Sequence, residues 1–350
     1  MRPVPMLVIR STVPCLLYVN NAPAGEISRE HPAGLPMPEN GRCYIHFVPL
    51  EQGRLAGAFR LDFASGELAQ PLENVPARVT HWPRGILEAE IDPERSPTRE
   101  TVPLAPDTLT YTDLRGGVRA YILRYVTHWL VLEESGGRAL LTLPLPGSRT
   151  PEIVVLNIGG TEAVAARAGG AVCDWVVIAA PQQDGEWKEL FRLEHGQIEL
   201  GRNGDVTCLM PMADTVGHAE LTTWSYTGGQ YAETRSIVWM DGEPRQPGSQ
   251  EDTAKAFLEA WAMGLQDEAL GFLSSELRSG LSADEIGGFL GQFDSIDTAR
   301  YAPIHGEGEV ALALVRKEAG EVFGARPVAI KVVEEESDAG KWKVDNIRAL

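Results

Sequence analysis

From the N-terminus to about residue 243, apolar and polar positions alternate in short runs, as they do in half-buried β-strands. Pairs of turn-forming residues separate these runs. Asn-Gly and Asp-Gly pairs are the strongest of these signals, because both residues tolerate the positive φ angles of a two-residue hairpin turn. They occur at Asp184-Gly185, Asn203-Gly204 and Asp241-Gly242. The pattern predicts a mostly β N-terminal region with hardly any helix.

Four prolines lie between residues 92 and 108, where they would interrupt a sheet because proline has no amide hydrogen to donate. We therefore expect a β module at residues 1–91, a proline-rich connection at 92–108 and a second β module at 109–243. No self-similar block recurs at the usual propeller-blade period of about 40–50 residues. The interpretation is a β-sandwich or a stacked meander, and a propeller is the less favoured alternative.

Residues 244–252 form a linker of proline, glycine and polar residues, and the apolar period beyond it changes from two to about 3.6. Residues 253–350 are therefore predicted to form an α+β domain, with helices first and strands afterwards. The apolar residues at helical spacing form two predicted helices: Ala254, Phe257, Leu258, Trp261 and Leu265 in the first, and Ala269, Leu270, Leu273 and Leu277, ending at Gly280, in the second.

A capping box at Ser282–Glu285 predicts the start of a third helix, because hydroxyl and carboxylate satisfy each other's exposed amides. Three strands are predicted near Val310–Lys317, Pro327–Glu334 and Lys341–Ile347.

Two segments resemble known families. The helix with Phe257 and Trp261, together with the closing run from Gly340 to Ile347 (G-K-W-K-V-D-N-I), resembles the NTF2-like, cystatin-like α+β superfamily over about 100 residues. That resemblance implies helices packed into the concave face of a curved antiparallel sheet. The run Leu16–Ile27 resembles the hairpin of small β-sandwich modules of the PEGA type, although Asn21 stands where glycine is expected.

The NTF2-like resemblance also implies a pocket inside the sheet, which some relatives use for catalysis. Catalysis there would need a buried acid or base, and His305 is the one histidine of the region. A packed core without a ligand is the favoured interpretation, with Trp261 and Trp342 as core residues. The residues that would line the pocket in the alternative are Trp261, Phe289, Phe293, Tyr301, His305 and Trp342.

The four cysteines, Cys15, Cys43, Cys173 and Cys208, include no C-x-x-C pair and lie in apolar segments. We expect buried thiols, with a Cys15–Cys43 disulfide as the alternative. The seven histidines include no H-x-x-x-H pair, and the acidic run at residues 334–338 lacks calcium-loop spacing. The sequence thus predicts no metal, no cofactor and no catalytic residue.

The net charge of −18 over 350 residues would repel nucleic acid and anionic membrane surfaces. No run of about 18 apolar residues is present, so we expect no membrane insertion. Arg10 and Pro14 interrupt the apolar N-terminal residues, which favours two strands over a signal peptide. We therefore expect a cytoplasmic location, with a lost leader and an extracellular location as the alternative.

The functional hypothesis is a non-enzymatic, multi-domain binding or scaffold protein. Its β modules would present loops to a protein or glycan partner, and its C-terminal domain could form a homodimer. The alternative is an enzyme or small-ligand receptor that uses the C-terminal pocket. The polar loops Asp184–Trp187 and Asp214–His218 lie beside aromatic residues, but ordinary hairpin chemistry is the favoured explanation for both.

Overall fold

A computed structural model describes residues 6–37, 41–64, 67–68, 77–82, 86–95, 104–298, 307–318, 321–337 and 340–350. The chain forms two compact units. The first, here called the β unit, comprises Met1–Cys208 and Thr222–Thr234. The second, the C-terminal unit, comprises Leu209–Leu221 and Arg235–Leu350, so it is discontinuous in the sequence. The finer division at residues 91, 108, 243 and 252 stays a prediction.

Strands dominate the chain up to residue 239, which confirms the prediction of a mostly β fold. They are β1 (Met6–Ser11), β2 (Cys15–Val19), β3 (Ala22–Ile27), β4 (Ala33–Pro36), β5 (Arg42–Pro49), β6 (Gly57–Ala64), β7 (Glu67–Leu68), β8 (Ala77–Trp82), β9 (Ile86–Ile91), β10 (Thr108–Asp113), β11 (Val118–Arg124), β12 (His128–Glu134), β13 (Ala139–Leu145), β14 (Glu152–Ile158), β15 (Thr161–Ala168), β16 (Val172–Cys173), β17 (Trp175–Pro181), β18 (Trp187–Leu193), β19 (Gln197–Leu200), β20 (Val206–Pro211), β21 (His218–Thr227) and β22 (Gln230–Trp239).

These strands form five sheets. In strand order the first is β4-β1-β9-β8, the second β3-β2-β5-β6-β7, the third β10-β11-β12-β13, the fourth β14-β15-β17-β18 and the fifth β16-β19-β20-β21-β22. The β1–β9 pair is parallel, whereas the third and fourth sheets are antiparallel meanders.

The turn residues behave as their chemistry predicts. Asn20 and Asn21 both adopt positive φ, 52° and 66°, in the two-residue turn that joins β2 to β3. Gly185 and Gly204 have φ of 85° and 87° in the turns after β17 and β19. Asparagine and glycine take these angles with little strain, so the turns set the hairpins from local sequence alone.

The sheets of the β unit pack face to face in series. β17 shows why, because alternate side chains on a strand point to opposite faces. Val177 and Ala179 are buried in the core between the third and fourth sheets, whereas Val176 and Ile178 are buried in the core beyond the fourth sheet. Two further cores lie between the second and third sheets and between the first and second. An internal strand is therefore apolar on both faces.

All four cysteines are free and buried. Cys15 and Cys43 share the core between the first and second sheets without forming a disulfide. Burial raises the pKa of the Cys15 thiol to about 12 and that of Cys43 to about 11, because the thiolate is poorly solvated there. They act as small apolar side chains.

The C-terminal unit places four helices before an antiparallel sheet. The helices are α1 (Gln250–Ala262), α2 (Gln266–Gly271), α3 (Ser275–Gly280) and α4 (Ala283–Leu290). The sheet has the order β23-β24-β25-β26, formed by β23 (Ser295–Thr298), β24 (Glu309–Glu318), β25 (Glu321–Ser337) and β26 (Gly340–Ala349).

The first and third predicted helices follow their local signals. Ser249 Oγ accepts a hydrogen bond from the Asp252 amide at 3.0 Å and begins α1, whose Phe257 is fully buried against the sheet. The capping box of α4 is complete, with Ser282 N–H donating to Glu285 Oε2 at 2.8 Å. The apolar stripe of α1 and the cap of α4 are confirmed.

The prediction of one helix through residues 269–277 is wrong. Two short helices, α2 and α3, stand there instead, because the chain between them pairs with β26. Val344 N–H donates to the Phe272 carbonyl at 2.9 Å, and Ser274 N–H donates to the Val344 carbonyl at 2.8 Å. These two bonds replace intrahelical bonds, and the Ser274 side chain then caps α3.

Within the described residues, no helix is both long enough and apolar enough to span a bilayer.

Candidate functional site

Four of the six residues of the predicted C-terminal pocket lie in the described chain, and all four pack on one core. Phe293 is buried, with 9% of its surface exposed, whereas Trp261, Phe289 and Trp342 are half-buried at the edge of that core. Tyr301 and His305 lie outside the described residues.

The four side chains are engaged by neighbours within the unit. The Trp261 ring lies 6.2 Å from the ring of Phe257. The Arg326 guanidinium lies 5.5 Å above the Phe289 ring, and Lys341 Nζ lies 5.3 Å from the Trp342 ring. These contacts are those of core and core-edge residues, and ligand binding by them stays a prediction.

A buried histidine lies between two carboxylates in the described part of the C-terminal unit. His218 Nδ1 contacts Asp214 Oδ2, and His218 Nε2 lies 3.1 Å from Glu268 Oε2. The His218 side chain is only 1% exposed, that of Asp214 5% and that of Glu268 18%. We call these three residues the histidine clamp.

The loop before β21 orients the clamp. Asp214 Oδ1 accepts hydrogen bonds from the amides of Gly217 at 3.1 Å and His218 at 2.9 Å, which leaves Oδ2 facing the imidazole. Gly217 has φ of 85°, a conformation that a larger residue would adopt only with strain. The Trp239 ring stacks on the imidazole at 4.2 Å.

The same loop is tied to α1. Thr215 N–H donates to Glu259 Oε2 at 2.8 Å, and Val216 is buried in the core of the C-terminal unit. Sequence reasoning treated Asp214–His218 as an ordinary hairpin loop and missed Glu268, which lies 50 residues further along the chain. The spacing of Asp214 and His218 was the only signal available.

The two hydrogen bonds of the clamp need two protons, whereas a neutral imidazole and two ionised carboxylates carry only one between them. An ionised carboxylate only accepts hydrogen bonds, and a neutral imidazole donates only one. Two imidazole–carboxylate bonds therefore require an imidazolium or one protonated carboxyl group. Burial raises the pKa of Glu268, and the neighbouring His218 counteracts part of that rise. Since both ring nitrogens are occupied, His218 is not available to a substrate as a base.

Glu268 has a second unusual feature. Among the residues that the structure describes, its other oxygen, Oε1, is buried without a hydrogen-bond partner. An unpaired buried carboxylate oxygen is costly, which also favours the protonated form.

A cleft of about 770 Å³ opens in the β unit where the tips of three hairpins meet. We call it the hairpin-tip cleft. The tips belong to the β14–β15, β17–β18 and β21–β22 hairpins. Its lining comprises Ile158, Gly159, Thr161, Ala180, Pro181, Gln182, Gln183, Asp184, Lys188, Leu190, Tyr226, Gly228 and Gly229.

The β17–β18 tip is held rigid by its own hydrogen bonds. Gln182 N–H donates to the Glu186 carbonyl at 2.7 Å, and Asp184 Oδ1 accepts the Glu186 amide at 3.0 Å. Lys188 Nζ pairs with Glu186 Oε2 at 3.2 Å. Of the loop Asp184–Trp187, Asp184 therefore lines the cleft, whereas Trp187 is only 6% exposed and belongs to the core.

Within the described residues, no three His, Cys, Asp or Glu side chains are placed to hold a metal ion.

No protein-family profile matches the chain, and no curated protein sequence matches it. Among solved structures, a candidate 6-phosphogluconolactonase from Bacteroides fragilis aligns with 96% of this chain and 82% of its own, at 10% identity and a TM-score of 0.22. A protein from Lactobacillus plantarum aligns with 98% of this chain and 84% of its own, at 11% identity and a TM-score of 0.21. A fructofuranosidase from Schwanniomyces occidentalis reaches a TM-score of 0.13 at 9% identity, over 88% of this chain and 60% of its own. TM-scores of this size carry no argument about fold or function.

Proposed function

We propose that the chain is a non-enzymatic binding protein that holds a glycan in the hairpin-tip cleft. The observation that carries the proposal is the meeting of three hairpin tips around one cleft of about 770 Å³. Hairpin tips on a rigid β scaffold are common positions for binding residues. The volume lies in the range of known small-ligand sites.

The lining suits a glycan because sugar hydroxyl groups both donate and accept hydrogen bonds. Gln182 and Gln183 contribute amides that do both, Asp184 accepts and Lys188 donates. The Tyr226 ring offers an apolar face for the C–H groups of a sugar ring. Its edge-to-face contact with Tyr231, at 5.4 Å between ring centres, holds it in place.

Charge and size favour a glycan over the other partner classes. A concave cleft of this volume has the size of a small-ligand site, whereas a protein interface usually extends over about 800 Å² on each partner. The lining of the cleft contains one cationic side chain, Lys188, and the whole chain has a net charge of −18. A polyanion would therefore find no positively charged surface at this cleft.

The test is a screen of the full-length chain against immobilised glycans, followed by titration of the best one. Gln183→Ala removes an exposed lining amide and should weaken binding by roughly fivefold to tenfold, the effect of losing about one hydrogen bond. Asp184→Ala also removes the acceptor of the Glu186 amide in the β17–β18 tip, so it should weaken binding at least as much. Gln197→Ala removes an exposed glutamine of β19 outside the cleft and serves as the matched control. Absence of any bound glycan, or equal effects of all three substitutions, would contradict the proposal.

For the architecture, we propose stacked meanders in residues 109–243 and an NTF2-like arrangement in the C-terminal unit. Support for the first comes from consecutive sheets that pack in series. Support for the second comes from the order of the elements, helices α1–α4 and then one antiparallel sheet, and from the packing of α1 on that sheet. A homodimer through this unit is part of the same proposal, and sedimentation equilibrium tests it.

A further inference from the structure

A second cleft of about 680 Å³ lies elsewhere in the β unit, at the open end of the interface between the second and third sheets. We call it the Tyr44 cleft. Leu16, Tyr18 and Val48 of the second sheet pack against the third sheet, whereas the same face is not covered further along β5 and β6. The core therefore lies between the two sheets, and the cleft lies beside it, between the second sheet and the segment that leads into β10.

Cross-strand pairs form one wall of this cleft. Tyr44 lies directly opposite Arg60 on β5 and β6, and His46 lies directly opposite Ala58. Paired residues on one face of an antiparallel sheet have neighbouring side chains. Because Ala58 is small, the wall is indented between the larger side chains around it. The Tyr44 side chain remains half exposed, at 50%.

The opposite wall is the segment that leads into β10. Leu104 and Asp107 line it. Thr108 Oγ1 donates to the Ala105 carbonyl at 2.6 Å, and Arg124 N–H donates to the Asp107 carbonyl at 3.1 Å. These bonds give the wall a defined position, and the Asp107 carboxylate already lies 3.5 Å from Arg124 Nη2 in an ion pair.

Arg60 is the cationic side chain in the sheet wall of this cleft. Arg60 is held in place by Asp62, whose Oδ2 lies 2.8 Å from Nη2, and by a hydrogen bond with Tyr44. Arginine is the side chain best shaped to bind a carboxylate. The acidic residue of the lining, Asp107, is paired with Arg124.

We propose that the Tyr44 cleft binds a small aromatic carboxylate, with its ring between Tyr44 and Leu104 and its carboxylate on Arg60. The two-part lining carries this assignment, since apolar and aromatic surface lies beside a positioned guanidinium. Small-ligand sites commonly combine such walls with a few fixed polar groups. The site is independent of the glycan cleft, because the two share no lining residue.

The test compares two probes that differ in charge, 2-naphthoate and 2-naphthylmethylamine, titrated calorimetrically against the full-length chain. We expect 2-naphthoate to bind with a Kd of roughly 0.01–1 mM, as ligand efficiency for its size suggests, and the amine to bind at least about tenfold more weakly. Arg60→Gln should weaken naphthoate binding by roughly tenfold or more and abolish the preference for the acid. Tyr44→Ala should weaken both probes.

The control variants come from a similar pair outside the cleft. Tyr111 is 54% exposed, and Arg119 lies 5.5 Å above its ring, so Tyr111→Ala and Arg119→Gln repeat the two changes elsewhere. A thermal melt of every variant confirms folding, and Arg60→Lys, which keeps the charge, should retain part of the binding. Equal affinity for both probes, no binding of 2-naphthoate, or equal losses in the control variants would overturn the proposal. Failure of glycan binding alone would leave it intact.

Discussion

Replacing His218 should destabilise the C-terminal unit far more than an ordinary histidine substitution does. His218→Leu keeps an apolar side chain of similar size beside Trp239 but removes both ring nitrogens. The carboxylates of Asp214 and Glu268, 5% and 18% exposed, then lose the partner between them. Removing one partner from a buried charged network costs about 3–5 kcal/mol. A typical domain has only about 5–15 kcal/mol of stability.

The measurement is a urea titration of the full-length chain, read by hydrogen exchange of the α1 peptide for the C-terminal unit and of the β12 peptide for the β unit. His128→Leu is the matched control. His128 is also buried, 8% exposed, but within the described chain its Nδ1 has no hydrogen-bond partner. Its replacement should therefore cost little, since no bond is lost. A His218→Leu variant as stable as the control would refute the clamp as a stabilising cluster.

The clamp should also make stability depend on pH. The pKa of Glu268 is higher in the folded chain than its ordinary value of 4.5, with burial as the main cause. The folded state therefore binds the shared proton more tightly than the unfolded state, and its contribution is complete below pH 4.5. That contribution is lost as the pH rises through the folded pKa. Glu268→Gln offers an amide donor that needs no proton, so it should flatten this decline; an unchanged slope would contradict the proton count.

Two further predictions concern other buried positions. Burial raises the pKa of Glu133 to about 7, although Tyr121 OH donates to it at 3.2 Å, so ionisation destabilises the fold as the pH rises from 4.5 through 7. Above pH 7, Glu133→Gln should therefore be more stable than the wild type by up to about 3 kcal/mol. Urea melts of both proteins at pH 5 and pH 8 measure this difference. The same difference at both pH values would show that ionisation of Glu133 does not destabilise the fold. In α4, the added Cβ of Gly288→Ala has no atom within 4 Å, so this variant should stabilise the fold by about 0.4–1 kcal/mol. The added Cβ of Gly287→Ala would lie 3.2 Å from the Trp261 side chain, so this variant should stabilise the fold less or destabilise it. Equal thermal midpoints for the two alanine variants would show that Trp261 is not fixed there.

Much of the fold was predictable because it depends on contacts within a few residues. The Asn20-Asn21 turn and the caps at Ser249 and Ser282 act through backbone angles or bonds within three positions. The alternating pattern of the strands and the apolar face of α1 follow from the same local geometry. The second predicted helix failed at Leu273, where pairing with Val344, 71 residues away, replaced the helical bonds.

The candidate sites were less predictable, because they consist of residues from distant parts of the chain. The sequence placed Asp184 in a polar loop, but the cleft exists only where three hairpins meet. It placed Asp214 and His218 together, whereas Glu268 lies 50 residues beyond His218 and contacts it only in the folded chain.

The sequence by itself therefore determined strand and helix type, turn positions and caps, since these depend on side-chain period and on short-range bonds. The tertiary structure alone decided which sheets stack, which side chains line the two clefts and which carboxylates enclose His218. The physical reason is that burial sets the cost of a charge, and burial is a property of the packed chain rather than of any single segment.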